Sequence, residues 1–330
     1  MRFSTPHIRF VRALAVLSNG WLASGGEDKH VKLWDEKGVY KGRLPTCEGD
    51  ILAMAALPKG GLAIGNEKAI EIWDAVTGER KKVLRGHMTA VWSLALLPDG
   101  TLVSGGGSLD MDAVIRRWDL VSGECIQVLK GHRSCVTCLL PLSDGQLASC
   151  SGYDGTIRIW DLETGTCIQT IIATTDRVLK ECTKTIVKLP GNRIASCGSH
   201  SAKVWDLETG TCLLECKIPH SLHLSVTYLS DGRLLVGCSD GVLNTWDLST
   251  GEYKGVVGKK IDWPYVMKAL PDGRVLMGGG AGLVDLFEFS TEQGRAVGRC
   301  KAVKEALMAA AWNPERAGAE WLIYDAEGLL

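Results

Sequence analysis

Net charge is almost absent from this 330-residue chain: 37 Lys and Arg face 38 Asp and Glu, leaving a formal charge of −1. So balanced a chain makes no global field to gather nucleic acid or an anionic membrane. Also missing is any apolar run of about 18 residues, the length a membrane-spanning helix needs. The opening stretch Met1-Arg2-Phe3-Ser4-Thr5-Pro6-His7 has no apolar centre of the kind a secretory signal carries. These absences lead us to expect a soluble intracellular chain, cytoplasmic or nuclear, with neither a membrane nor a nucleic acid as partner. Metal and phosphate patterns are equally thin. Cys135-Val-Thr-Cys138 has CxxC spacing but lies in an apolar run, and no second pair completes a tetrahedral site. His220-Ser-Leu-His223 has no third ligand nearby. Gly278-Gly-Gly-Ala-Gly282 opens no helix, so it reads as a turn rather than a phosphate cradle. We expect no metal, no cofactor and no small-molecule substrate.

What the chain does have is a repeat. Trp-Asp dipeptides begin at Trp34, Trp73, Trp118, Trp160, Trp205 and Trp246, and Phe287-Glu288 falls where a seventh would stand. The successive spacings are 39, 45, 42, 45, 41 and 41 residues. A period of about 40–45 residues with this mark signals an array of small sheets. One unit, from Gly131 to Ile171, shows the grammar: short apolar blocks separated by Ser143-Asp144-Gly145, Tyr153-Asp154-Gly155 and Thr164-Gly165. Gly and Asp suit the positive φ and local side-chain bonds of tight turns. Each unit is therefore a four-stranded antiparallel meander. The repeat also explains cysteine. Cys125, Cys167 and Cys212 share one slot, and Cys150 and Cys197 share another. Equivalent slots sit about one unit apart, too far to pair routinely. Free thiols packed as small apolar groups suit a reducing compartment.

The Trp-Asp marks, the seven turns ending at Gly20, Gly60, Gly100, Gly145, Asn192, Gly232 and Gly273, and the meander between them make the chain resemble the WD-repeat, or WD40, β-propeller family over about residues 7–300. The resemblance implies an all-β, seven-bladed propeller of four-stranded antiparallel blades around a central channel, spanning residues 1–303. Family members use a hydrogen-bonded set in each blade: a His, a Ser or Thr, an Asp and the Trp. Three repeats match it: His7, Ser24, Asp28 and Trp34; His87, Ser104, Asp112 and Trp118; and His132, Ser149, Asp154 and Trp160. The remaining four carry Glu67, Ser199, Asp240 and Ala281 at the Asp slot, and Ile64, Ser196, Val236 and Met277 at the Ser slot. Apolar packing is expected to hold those blades. Because the His, Ser and Asp recur once per repeat beside a Trp, they read as structural rather than as a hydrolase triad.

The repeat breaks in three places. The turn at 105–112 and the approach at 173–183 are long, and insertions on a rigid scaffold go to surface loops. Beyond Phe287, residues 294–303 read as an outer strand. Residues 304–330 then resemble the first strands of a further repeat that stops, so the ring closes with seven blades or carries a partial eighth. Many family members close the ring with an N-terminal strand, but only six residues precede His7.

Propellers host unrelated functions. The resemblance implies a rigid, non-catalytic scaffold binding peptides or protein surfaces, as a subunit or a substrate receptor of a larger complex. By register with His7, His87 and His132, the leading loops and second-strand turns place Arg9, Phe10, Met88, Arg133, Tyr153, Asp262, Trp263 and Tyr265 on one face. Aromatic and Arg side chains dominate interface energies. Two other readings are an enzyme with its site at the channel, which would need titratable groups with displaced pKa values there, and a nucleic-acid-associated propeller, which would need a local basic stripe.

Overall fold

The computed structural model describes residues 6–299, apart from 68, 109–110, 175–182, 199–200, 218–222, 259–262 and 293–294. The tail 304–330, His220 and Asp262 therefore lie outside the described residues. Seven antiparallel sheets of four strands follow one another along the chain, each built from consecutive segments. Blade 4 is representative: Val136–Pro141, Gln146–Ser151, Thr156–Asp161 and Thr166–Ile172 pair in sequence order. Its turns fall where the sequence places them, with Asp144, Gly145, Gly155 and Gly165 at positive φ. Consecutive strands joined by short hairpins need no crossover, so each blade forms locally.

A sheet with one apolar face cannot stand alone; it must pack on another. Among the described residues seven apolar clusters occur, one at each junction between neighbouring blades. In six of them the Trp of one blade joins a cluster with the preceding blade: Trp73 with Leu33 and Leu44, Trp118 with Ala55 and Leu57, and Trp160 with Val103 and Ile115 among them. Phe287 takes the same place against blade 6. The Trp-Asp mark is thus a blade-to-blade staple.

Closure uses the same device. Val11, Leu14, Leu22 and Trp34 of blade 1 pack on Leu270, Leu276 and Leu286 of blade 7. Two backbone bonds add to it: His7 N–H donates to Gly282 O at 2.8 Å and Val11 N–H to Gly279 O at 3.1 Å. The outer strand of blade 7, Arg295–Arg299, follows its third strand in the chain. No strand is borrowed from the N-terminus among the described residues. This outer strand pairs with Glu288 to Glu292, a continuation of the third strand past Phe287.

Candidate protein-binding face

Three blades carry the full hydrogen-bonded set, and its order is the same in each. In blade 4, His132 Nδ1 lies 2.8 Å from Asp154, and His132 Nε2 lies 2.7 Å from Ser149 Oγ, which also accepts from Trp160 Nε1–H at 2.8 Å. Blades 1 and 3 repeat it through His7, Asp28, Ser24 and Trp34 and through His87, Asp112, Ser104 and Trp118. A carboxylate can only accept, so Nδ1 carries the proton, Nε2 accepts from the Ser hydroxyl, and that hydroxyl accepts from the indole. Burial lowers the His87 pKa, in keeping with a neutral ring. It works the other way on Asp28, Asp112 and Asp154, yet the bonds from His and backbone N–H groups outweigh it and hold all three below the ordinary carboxylate range.

The Asp–His–Ser connectivity is that of a hydrolase triad. Its surroundings are not. Ser24, Ser104 and Ser149 are completely buried between sheets, each with an indole on its oxygen. A substrate carbonyl has no path to any of them.

The same Asp residues shape the surface. Each accepts the backbone N–H of the residue after its His: Ile8 at 3.4 Å, Met88 at 2.8 Å and Arg133 at 3.0 Å. Pinned by the backbone, those three side chains point out of the leading loops. Ile8 is 85% exposed, Met88 78%, and Arg133 is exposed as well. Ile8 was not picked out by the sequence reading, which chose Arg9; the signal was its place directly after His7. Arg9 is exposed also.

Phe10, Trp263 and Tyr265 come together where blades 7 and 1 meet, with ring centroids 6.2 and 6.4 Å from Phe10. Phe10 and Tyr265 are half-buried, whereas Trp263 is 52% exposed and Tyr153, across the ring in blade 4, is 54% exposed. Arg12 organises the group. It stacks on Tyr265 at 4.9 Å, donates to the Tyr265 hydroxyl at 2.8 Å, and forks onto Glu27. Burial works against its charge, but Tyr265 and Glu27 more than offset that and hold its pKa above the usual value. Arg12 is therefore engaged internally, while Arg9 and Arg133 face solvent. Behind the aromatic group, a cavity of about 400 Å³ opens in the channel, lined by Arg12, Trp92, Thr137, Tyr153, Lys184 and Tyr265 among others. No cluster of three or more His, Cys, Asp or Glu suited to a metal occurs among the described residues.

The blades without the full set divide. Blade 5 keeps one bond, Trp205 Nε1–H to Ser196 Oγ at 2.8 Å. Blade 2 has, beside its apolar packing, a polar centre of its own that the sequence does not suggest. Glu71, two residues before Trp73, is wholly buried and accepts from Trp73 Nε1–H at 3.1 Å, Asn66 Nδ2–H at 2.7 Å, Arg80 at 3.4 Å and the Glu48 N–H at 3.2 Å. Its side chain comes from the third strand instead of the second, so matching slots could not reveal it.

The family description "WD domain, G-beta repeat" matches residues 4–35, 78–119 and 123–161. Those three segments hold the three complete His–Ser–Asp–Trp sets. These three segments are WD40 repeats. Among solved structures, the WD40 β-propeller domain of Doa1 superposes with a TM-score of 0.74 at 21% identity, covering 89% of this chain and 98% of that one. No curated protein matches the chain in sequence. The seven four-stranded blades here share the propeller fold of the Doa1 domain.

Proposed function

We propose that this WD40 propeller is a non-catalytic scaffold that binds a peptide or protein surface on the face formed by its leading loops and second-strand turns. The observation that carries this reading is the coupling of core to face. The buried Asp of each complete set fixes the backbone of Ile8, Met88 or Arg133, so the leading loops that carry these exposed side chains have less backbone freedom to lose. Pre-ordering of that kind lowers the cost of binding. Trp263 and Tyr153 add exposed aromatic surface to the same end of the ring, and such side chains are frequent binding hot spots. Burial of all three Ser hydroxyls supports a role without catalysis. The ten described cysteines are free thiols, which supports a reducing, intracellular compartment. A role as a subunit or substrate receptor within a larger assembly fits the same face.

The test compares proteins captured from native lysate by wild type, by an Arg9→Ala, Arg133→Ala, Trp263→Ala triple variant, and by an Ile126→Ala variant of the outer rim. Partners lost only with the triple variant support the assignment. Partners that survive it place binding elsewhere, and the lack of any stable protein partner counts against a scaffold.

A further inference from the structure

Blade 4 holds two thiols that neither the staple nor the binding face uses. Cys138 on its first strand and Cys150 on its second are direct register partners. Opposed residues of an antiparallel pair point to the same face with Cα atoms about 4.5–5.5 Å apart. That lies within the roughly 4.4–6.8 Å a disulfide spans. Each thiol shifts the pKa of the other. Both also reach the beginning of blade 5, Cys138 Sγ at 3.7 Å from Ile186 O and Cys150 Sγ at 3.6 Å from Thr183 O. Their accessibility differs. Cys150 is wholly buried in the junction between blades 4 and 5, whereas Cys138 lines the channel cavity. No other two described cysteines are register partners in a sheet.

We propose that Cys138 and Cys150 are a peroxide-sensitive dithiol, which a hydroperoxide reaching the channel converts to a disulfide between the first two strands of blade 4. The Cys138 thiolate attacks the terminal peroxide oxygen, the O–O bond breaks, and alkoxide, or hydroxide when the oxidant is hydrogen peroxide, leaves with the electron pair, giving a Cys138 sulfenic acid. Cys150 sulfur then attacks that sulfur, the S–O bond breaks, and water leaves carrying the Cys150 proton. The released alkoxide or hydroxide takes up the proton first lost from Cys138. In sum, two thiols and one hydroperoxide give one disulfide, one water and one alcohol, or a second water when the oxidant is hydrogen peroxide. The roles follow from the environment. Cys150 beside it lowers the Cys138 pKa, while burial raises that of Cys150 well above its ordinary value. The sulfur that faces the channel attacks, and the buried one behind it resolves. The bridge removes both S–H donors. Thr183 O keeps its bond from Thr137 Oγ1 at 2.8 Å, so the junction to blade 5 loosens without being lost.

The experiment treats the folded, full-length chain with hydrogen peroxide, then unfolds it, alkylates the remaining thiols and maps the peptides by mass spectrometry. Two of the twelve thiols are expected to disappear together as a Cys138–Cys150 link that a dithiol reductant reverses. In Cys150→Ser the link is lost, and Cys138 is trapped as a sulfenic acid by a 1,3-dione. Cys150→Ala serves for the same trapping if the Ser variant does not fold. Recovery of Cys138 and Cys150 as free thiols, at peroxide doses that oxidise the exposed Cys125 and Cys212, overturns the proposal.

Discussion

Replacing Glu71 with Ala should destabilise the propeller more than replacing Ser196 of blade 5, whose hydroxyl serves a single indole. The carboxylate is wholly buried and accepts from two donors that are themselves buried, Trp73 Nε1 and Asn66 Nδ2. Truncation strands both, at about 1–3 kcal/mol each. The N–H of Glu48 rehydrates, and Arg80 keeps its bond to Glu48 at the surface. Removal of a buried charge gives back part of the loss, because its own desolvation disappears. The net expectation is about 2–4 kcal/mol. Ser196→Ala in blade 5 strands one donor, Trp205 Nε1, and should cost about 1–2 kcal/mol. Glu71→Gln keeps one acceptor oxygen and should fall between the two. Equilibrium urea unfolding reads all three, followed by Trp fluorescence and by far-UV circular dichroism, because coincident transitions are needed before midpoints become free energies. If Glu71→Ala costs no more than Ser196→Ala, the carboxylate does not hold blade 2 together, and the accounting of donors is wrong.

Acid should act through the Asp of the complete sets. The Asp154 pKa is depressed in the folded chain, so its contribution is complete above the unfolded value of about 3.9 and is lost as pH falls through the folded one. Asp154→Asn should flatten the stability–pH slope below about pH 4, and an unchanged slope in acid titration would refute this. Closure can be probed at Gly282. Its φ is +81° and an added Cβ would stand 2.0 Å from His7 O, whereas Gly20 has the same φ and open space around it. Gly20→Ala therefore bears only the backbone cost of about 1 kcal/mol. Gly282→Ala should lose about 2 kcal/mol more in the same denaturant assay, and equal losses would mean that the contact between His7 and blade 7 does not hold the ring shut.

Much of this architecture is legible in the sequence because a repeat states its rules seven times. The Trp-Asp spacing marks the blades, Asp-Gly and Thr-Gly clusters mark hairpins, and His, Ser and Asp at matched offsets mark the buried sets of blades 1, 3 and 4. Glu71 was hidden for a physical reason. A buried indole needs an acceptor, but nothing requires it to come from the usual strand, and blade 2 takes it from two residues before its Trp. Ile8 was hidden because its outward display depends on a backbone bond to Asp28, not on its own side-chain type.

Local chemistry in the chain determined the blades themselves: alternating apolar blocks and turn residues specify each meander without reference to anything distant. Contacts between blades decided the rest. Only the folded ring shows that each Trp staples its blade to the one before, that Leu270, Leu276 and Leu286 meet Val11 and Trp34 to close the circle, and that Arg12 is consumed by Glu27 and Tyr265 while Arg9 and Arg133 remain at the surface. Residues more than 250 positions apart meet there because seven sheets, each with apolar faces to bury, find their last partner in the first.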